Sequence, residues 1–185
     1  MPLDLYGSSS VNTEGNKATY SAGIELAAAT MAANATDLVQ IIGSATKIIK
    51  IQHIQITADA TAAAAVDLYI LKRTAANTGG TAVAITGIAH DSKDPAYTAT
   101  VQYYTANPSA LGAGQIIRLQ SYALPVAGTT GYPFTPAVWN FGNRPSRCPT
   151  LRGVGESLVV NWGGQAINSG LAVWMDIEWT EEPLQ

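Results

Sequence analysis

The sequence predicts an all-β domain: an antiparallel β-sandwich, jelly roll by preference, preceded by an extended N-terminal arm. Three observations predict it. Short stretches of alternating apolar and polar residues recur from Tyr20 to Thr180, with Gly and Pro between them and no long amphipathic helical pattern. The large apolar side chains are mostly Ile, Leu, Val, Tyr and Trp, with only two Phe, a mixture that favours pleated strands. A chain of 185 residues fits one sandwich, and no internal repeat points to a propeller or solenoid.

Residues 1–18 mix Pro2, Gly7, a Ser run, Asn12, Gly15 and Asn16 and hold too few apolar positions for a core element. They read as an arm, and residues 19–185 as the sandwich domain. Leu3, Leu5 and Tyr6 alternate well enough to lie along a partner's surface. A disordered terminus is the alternative.

Strands are expected over Tyr20–Leu26 and Thr36–Ile42, with an Ala-rich piece between them that also suits a helical turn. In Lys47–Ile56 the alternation changes phase: Ile49 and Ile51 share one face, Ile54 and Ile56 the other. That predicts a bulge near Gln52 and His53, or a crossing between two packed surfaces. Val66, Leu68 and Ile70 define the next strand, followed by the turn-rich KRTAANTGG and the short TAVAI. His90, Asp91, Ser92, Asp94 and Pro95 form a turn. Ala99, Val101 and Tyr103 then oppose Thr98, Thr100, Gln102 and Tyr104, and Ile117, Leu119 and Ala123 oppose Ile116, Arg118, Gln120 and Tyr122.

Two long irregular connections, VAGTTGYPFTP and FGNRPSRCPTLRGVG, flank a short AVWNF strand. Loops of that length in a compact domain tend to be functional or interfacial. After ESLVVNW, the last element has the clearest pattern: Leu171, Val173, Met175, Ile177 and Trp179 alternate with Ala172, Trp174, Asp176, Glu178 and Thr180. One face is core and the other is wet.

Charge bounds the function. Only 12% of residues are charged, with 10 basic against 13 acidic. Nucleic-acid binding needs clustered Lys and Arg, and Arg144 and Arg147 are the closest approach. So little charge suits a surface partly covered by other subunits. The single Cys148 excludes an internal disulfide and a multi-cysteine zinc site. MPLDLYGSSS has neither the basic nor the apolar region of a signal peptide, and no apolar run reaches membrane-spanning length.

Candidate chemistry is sparse. His53 reads as a strand histidine, and turn polarity accounts for His90 beside Asp91 better than an oriented base does. Asp176 and Glu178 share a face, as paired carboxylates of a glycoside hydrolase would, but their alternation with core residues fits a solvated face. No HxH pair, EF-hand loop or phosphate-binding glycine motif occurs. No enzyme, cofactor or metal is therefore expected. Among Trp139, Trp162, Trp174 and Trp179, core packing is the default, and Trp174 is expected at the surface or in a subunit contact.

The run RTAANTGGTAVAITGIAHDSKDPAYTATVQYYTANPSALG, Arg73 to Gly112, resembles a pattern of tailed-bacteriophage structural proteins, as does the closing GLAVWMDIEWTEE. The resemblance implies a jelly-roll capsid decoration, or cement, protein: a homotrimer on the virion surface, assembled in the host cytoplasm. Its partners would be the major capsid protein or other virion proteins, with no nucleic acid and no membrane. The expected interface residues are Leu3, Leu5, Tyr6, Tyr132, Phe134, Arg144, Arg147 and Trp174. A carbohydrate- or receptor-binding module of a head fibre or tail is the alternative, in which Tyr132, Phe134 and Trp139 would converge on an open site.

Overall fold

The computed structural model describes residues 17–128, 135–142 and 147–184. Two antiparallel sheets face each other across one apolar core. The first, sheet A, runs in the order β10-β3-β12-β1-β6, where β10 is Thr150–Arg152, β3 Lys47–Asp59, β12 Ala172–Pro183, β1 Thr19–Ala27 and β6 Ile88–Ala89. β9, Ala137–Asn140, also pairs with β3, beyond the stretch taken by β10. Sheet B has the order β5-β7-β2-β11-β4-β8: Thr81–Ile85, Thr100–Ala106, Asp37–Ile42, Ser157–Asn161, Ala64–Arg73 and Gly114–Leu124. Consecutive strands β1 to β4 alternate between the sheets, and β11 and β12 do the same at the end of the chain.

The sequence pattern explains these elements. In β12, Val173, Met175, Ile177 and Trp179 are all buried, as period-two alternation with one face on a core requires. β3 keeps four isoleucines inward despite its change of phase. Trp179 pairs with Ile51 and Glu178 with His53, leaving Gln52 as the extra residue of a bulge. The bulge resets the alternation, so Ile49, Ile51, Ile54 and Ile56 are each no more than 1% exposed. Each such side chain contributes about 1.5–3 kcal/mol relative to exposure. The Ala-rich link after β1 contains one 3₁₀ turn, Ala28–Thr30.

Three expectations need correction. A bulge at Ile117, between the pairs Ile70–Arg118 and Leu71–Ile116, changes the phase of β8. Tyr122 and Leu124 therefore face the core, while Leu119 is 59% exposed and Ala123 is exposed too. Tyr104, placed on the wet face of β7, is buried because its hydroxyl donates to Gln40 Oε1 at 2.6 Å beneath neighbouring loops. Finally, the FGNRPSRCPTLRGVG stretch is not wholly irregular, since Thr150–Arg152 forms β10.

Candidate functional site

The two sheets present very different outer faces. On sheet B, polar side chains are sewn together and covered. Asp37, wholly buried at the start of β2, accepts from Arg73 Nε and Nη2, both at 2.6 Å, and from Asn77 and Asn161 side-chain amides at 2.7 Å. Four donors satisfy a carboxylate that burial would otherwise penalise severely. Arg73 Nη1 also donates to Gly112 O, and Gly112 N donates to Asn77 Oδ1. Asn107 Oδ1 accepts from Thr36 N at 3.0 Å, and Ser109 Oγ donates to Thr78 O.

The segments Arg73–Gly80 and Tyr104–Gly112, which carry much of the resemblance, thus dock on each other and on β2. Their residue types have a structural cause. Gly79 and Gly80 adopt φ of 68° and 79°, the left-handed region that glycine enters without steric cost. A side chain on Gly80 would also strike the carbonyl oxygens of Ala106 and Asn107.

A second buried carboxylate closes sheet A. Glu181 accepts from the backbone N–H groups of Thr98 and Ala99, from Thr98 Oγ1 and from Trp179 Nε1. The Trp179 ring stacks on Tyr20 with centroids 5.8 Å apart and meets Tyr97 edge-on at 6.0 Å. This pins the loop between β6 and β7 over the sandwich. His90 lies exposed where that loop leaves β6, its backbone N–H bonded to Thr19 O.

On sheet A's outer face Trp174 is exposed, while Asp176, Glu178, His53, Gln55 and Thr57 are half-buried. β12 places Trp174, Asp176 and Glu178 in one row, opposite Thr57, Gln55 and His53 of β3 and Glu25, Gly23 and Ser21 of β1. His53, Asp176 and Glu178 line a concavity of about 580 Å³ together with Asn140, Arg147, Cys148 and Lys50. Cysteine, histidine and asparagine in one hollow match the residue types of a cysteine nucleophile. Their contacts differ from that arrangement. His53 Nδ1 lies 2.6 Å from Asn140 Oδ1, whereas Cys148 Sγ accepts from Gln52 Nε2 at 3.8 Å. Burial pushes the Cys148 thiol up, more than Lys50 and the hydrogen bonds lower it, whereas activation requires a depressed thiol. Beside it, Lys17 and Lys50 clasp Glu182 at 2.8 and 2.5 Å. Burial raises that carboxyl, but the two lysines outweigh burial and hold it below the usual range.

Among the described residues, β8 pairs only with β4. β8 ends the sheet, and Ile116 and Leu119, 54% and 59% exposed, pair across to Leu71 and Tyr69 of β4. Its one charged residue, Arg118, sits 5.5 Å over the Phe141 ring.

Of the residues expected at an interface, Leu3, Leu5, Tyr6, Tyr132, Phe134 and Arg144 lie outside the described residues. Arg147 is exposed at the rim of the concavity, and Trp174 is 37% exposed. The structure does not bring these two into contact. Trp139 is buried at 7% in the core, so it is not an open-site aromatic, which corrects that part of the alternative reading. Asn140 and Gln55 were missed, although their outward phase beside the inward Trp139 and Ile54 was the available signal; strand register then sets them opposite His53 and Asp176. Among the described residues, no group of three or more His, Cys, Asp or Glu is placed to hold a metal ion. No helix there is long and apolar enough to cross a membrane. Comparison with protein-family models, with curated proteins and with solved structures gave no match.

Proposed function

We propose that this chain is a non-enzymatic structural protein of a tailed-phage virion that decorates or cements the capsid as a homotrimer. The observation that carries the reading is the β8 edge. Monomeric sandwiches usually protect a long edge strand with charges, proline or a covering segment, yet β8 runs for 11 residues and turns Ile116 and Leu119 to solvent. Covering that edge with another copy removes the exposed apolar row and supplies a pairing strand on the side of β8 that has none among the described residues.

Further support comes from the scarcity of charge and from the resemblance of Arg73–Gly112 to phage structural proteins. Within that stretch, Arg73–Gly80 and Tyr104–Gly112 dock around Asp37 and build an ordered outer surface on sheet B. The order β1-β12-β3-β9 facing β2-β11-β4-β8 supports jelly-roll winding, in which two Greek keys share one sandwich. The arm of residues 1–18 serves in this reading as the tether to the major capsid protein.

The test is co-sedimentation with capsids assembled from the major capsid protein of the same genome. The expected result is saturable binding that weakens severely when residues 1–16 are deleted. A protein that pellets with no such capsid removes the decoration reading.

A further inference from the structure

We infer that the outer face of sheet A binds a neutral oligosaccharide, with Trp174 as the stacking platform and Asp176, Glu178, Gln55 and His53 as the polar row beside it. This goes beyond the virion role and does not depend on it.

The first observation is a contrast between the two faces. On sheet B, Asp37, Gln40, Asn77, Gln102, Tyr104 and Asn161 satisfy one another. On sheet A, the side chains of Gln55, Thr57, Trp174, Asp176 and Glu178 make no hydrogen bond or ion pair with any described residue. Their donors and acceptors are held on rigid strands and remain available to a ligand. From Trp174 to Glu178 the row spans roughly 14 Å at the strand rise of ~3.4 Å per residue. It continues into the concavity of about 580 Å³ that Asp176, Glu178 and His53 line, a size within the usual range for ligand sites.

The second observation is Gly23. It lies in the middle of β1, directly opposite Asp176, and a Cβ there would meet nothing within 4 Å. Neither crowding nor a positive φ calls for glycine at this position, and glycine weakens a strand. Its effect is a notch beside Asp176, next to the exposed Trp174 indole.

The chemistry of the row selects the ligand. An indole face takes the apolar face of a pyranose ring, while carboxylate, amide and imidazole groups bond its hydroxyls. Beside Trp174 the charged groups are Asp176, Glu178 and Glu25, which disfavour an acidic glycan there. In the adjoining concavity Lys17 and Lys50 are paired with Glu182, and Arg147 stands at the rim. A quaternary amine also seeks an aromatic with carboxylates, but it is held by a cage of rings, and Trp174 stands alone in the row.

The experiment begins with a glycan array probed with the full chain. The neutral oligosaccharide bound best is then titrated and followed by tryptophan fluorescence, alongside maltotriose, cellotriose, a sialylated trisaccharide and choline. Trp139, Trp162 and Trp179 are at most 7% exposed, so protection from acrylamide quenching reports on Trp174. Trp174→Ala, Asp176→Ala and Gly23→Val should each weaken binding about tenfold or more, with the β-sheet circular dichroism unchanged. Val83→Ser on β5 of the other sheet should leave it unaltered. Absence of binding to every neutral glycan, preference for the sialylated sugar or choline, or full affinity in Gly23→Val and Trp174→Ala would each overturn the inference.

Discussion

Arg73 grips Asp37 through two parallel hydrogen bonds of 2.6 Å, joining the end of β4 to the start of β2 at a point where both side chains are buried. The pair is the anchor for the loops on sheet B. Removing one partner strands a buried charge, which typically costs about 3–5 kcal/mol. Arg73→Met should therefore lower the unfolding free energy by about that amount in urea titrations. Arg73→Lys should fall between the two, because a lysine keeps the charge and loses the fork.

Glu181 ties the β6–β7 connection to Trp179 through hydrogen bonds to both of its carboxylate oxygens. Glu181→Gln presents an amide N–H₂ where an acceptor is required. A loss of about 2 kcal/mol is expected, with a change in near-ultraviolet circular dichroism as the Tyr20–Trp179–Tyr97 cluster loosens.

How much of this was legible in the sequence depends on range. The phase change in Lys47–Ile56 announced the Gln52 bulge, since period two cannot otherwise keep four isoleucines on one side. The β8 bulge left no such mark: Ile116, Ile117 and Leu119 are apolar in either phase, and only pairing with β4 decides which turns outward. Tyr104 and Asp37 were unreadable for a related reason. Their burial comes from loops that arrive from residues 73–80 and 104–112, a tertiary effect with no local signature. On the candidate face, the shared phase of Trp174, Asp176 and Glu178 was visible in β12 alone, whereas Gly23, Gln55 and His53 joined them only through strand register.

Deleting Gln52 tests the bulge directly. Without it, Ile49, Ile51, Ile54 and Ile56 fall in a single period-two phase, so β3 can pair with β12 as a regular ladder with all four still turned inward. The variant is expected to keep a sharp thermal transition, with modest destabilisation from the lost Gln52 bonds to Thr180, Phe141 and Gly142. Deleting Gln55, which separates Ile54 from Ile56, instead puts those two on opposite faces and should abolish the transition.

Two titrating groups give opposite pH dependences. Glu182 is held below the usual carboxyl range, so its ion pairs stabilise the fold above the unfolded-chain value of 4.5, and that contribution is lost as pH falls through the lower folded value. Glu182→Gln should reduce stability at pH 7 and have little effect at the acid end. Cys148 is raised above its ordinary 9.0. From that pH upward the unfolded chain loses this proton first, so stability declines with rising pH. Alkylation of Cys148 by iodoacetamide at pH 8 should be slower in the native protein than in urea, because less thiolate is present.

Sedimentation equilibrium tests the central claim, that the exposed β8 edge is an interface between copies of this chain. The wild-type protein should sediment as a trimer at micromolar concentration, and the double variant Ile116→Lys, Leu119→Lys should sediment as a folded monomer. A monomeric wild type, or a double variant that keeps the wild-type mass, would contradict it.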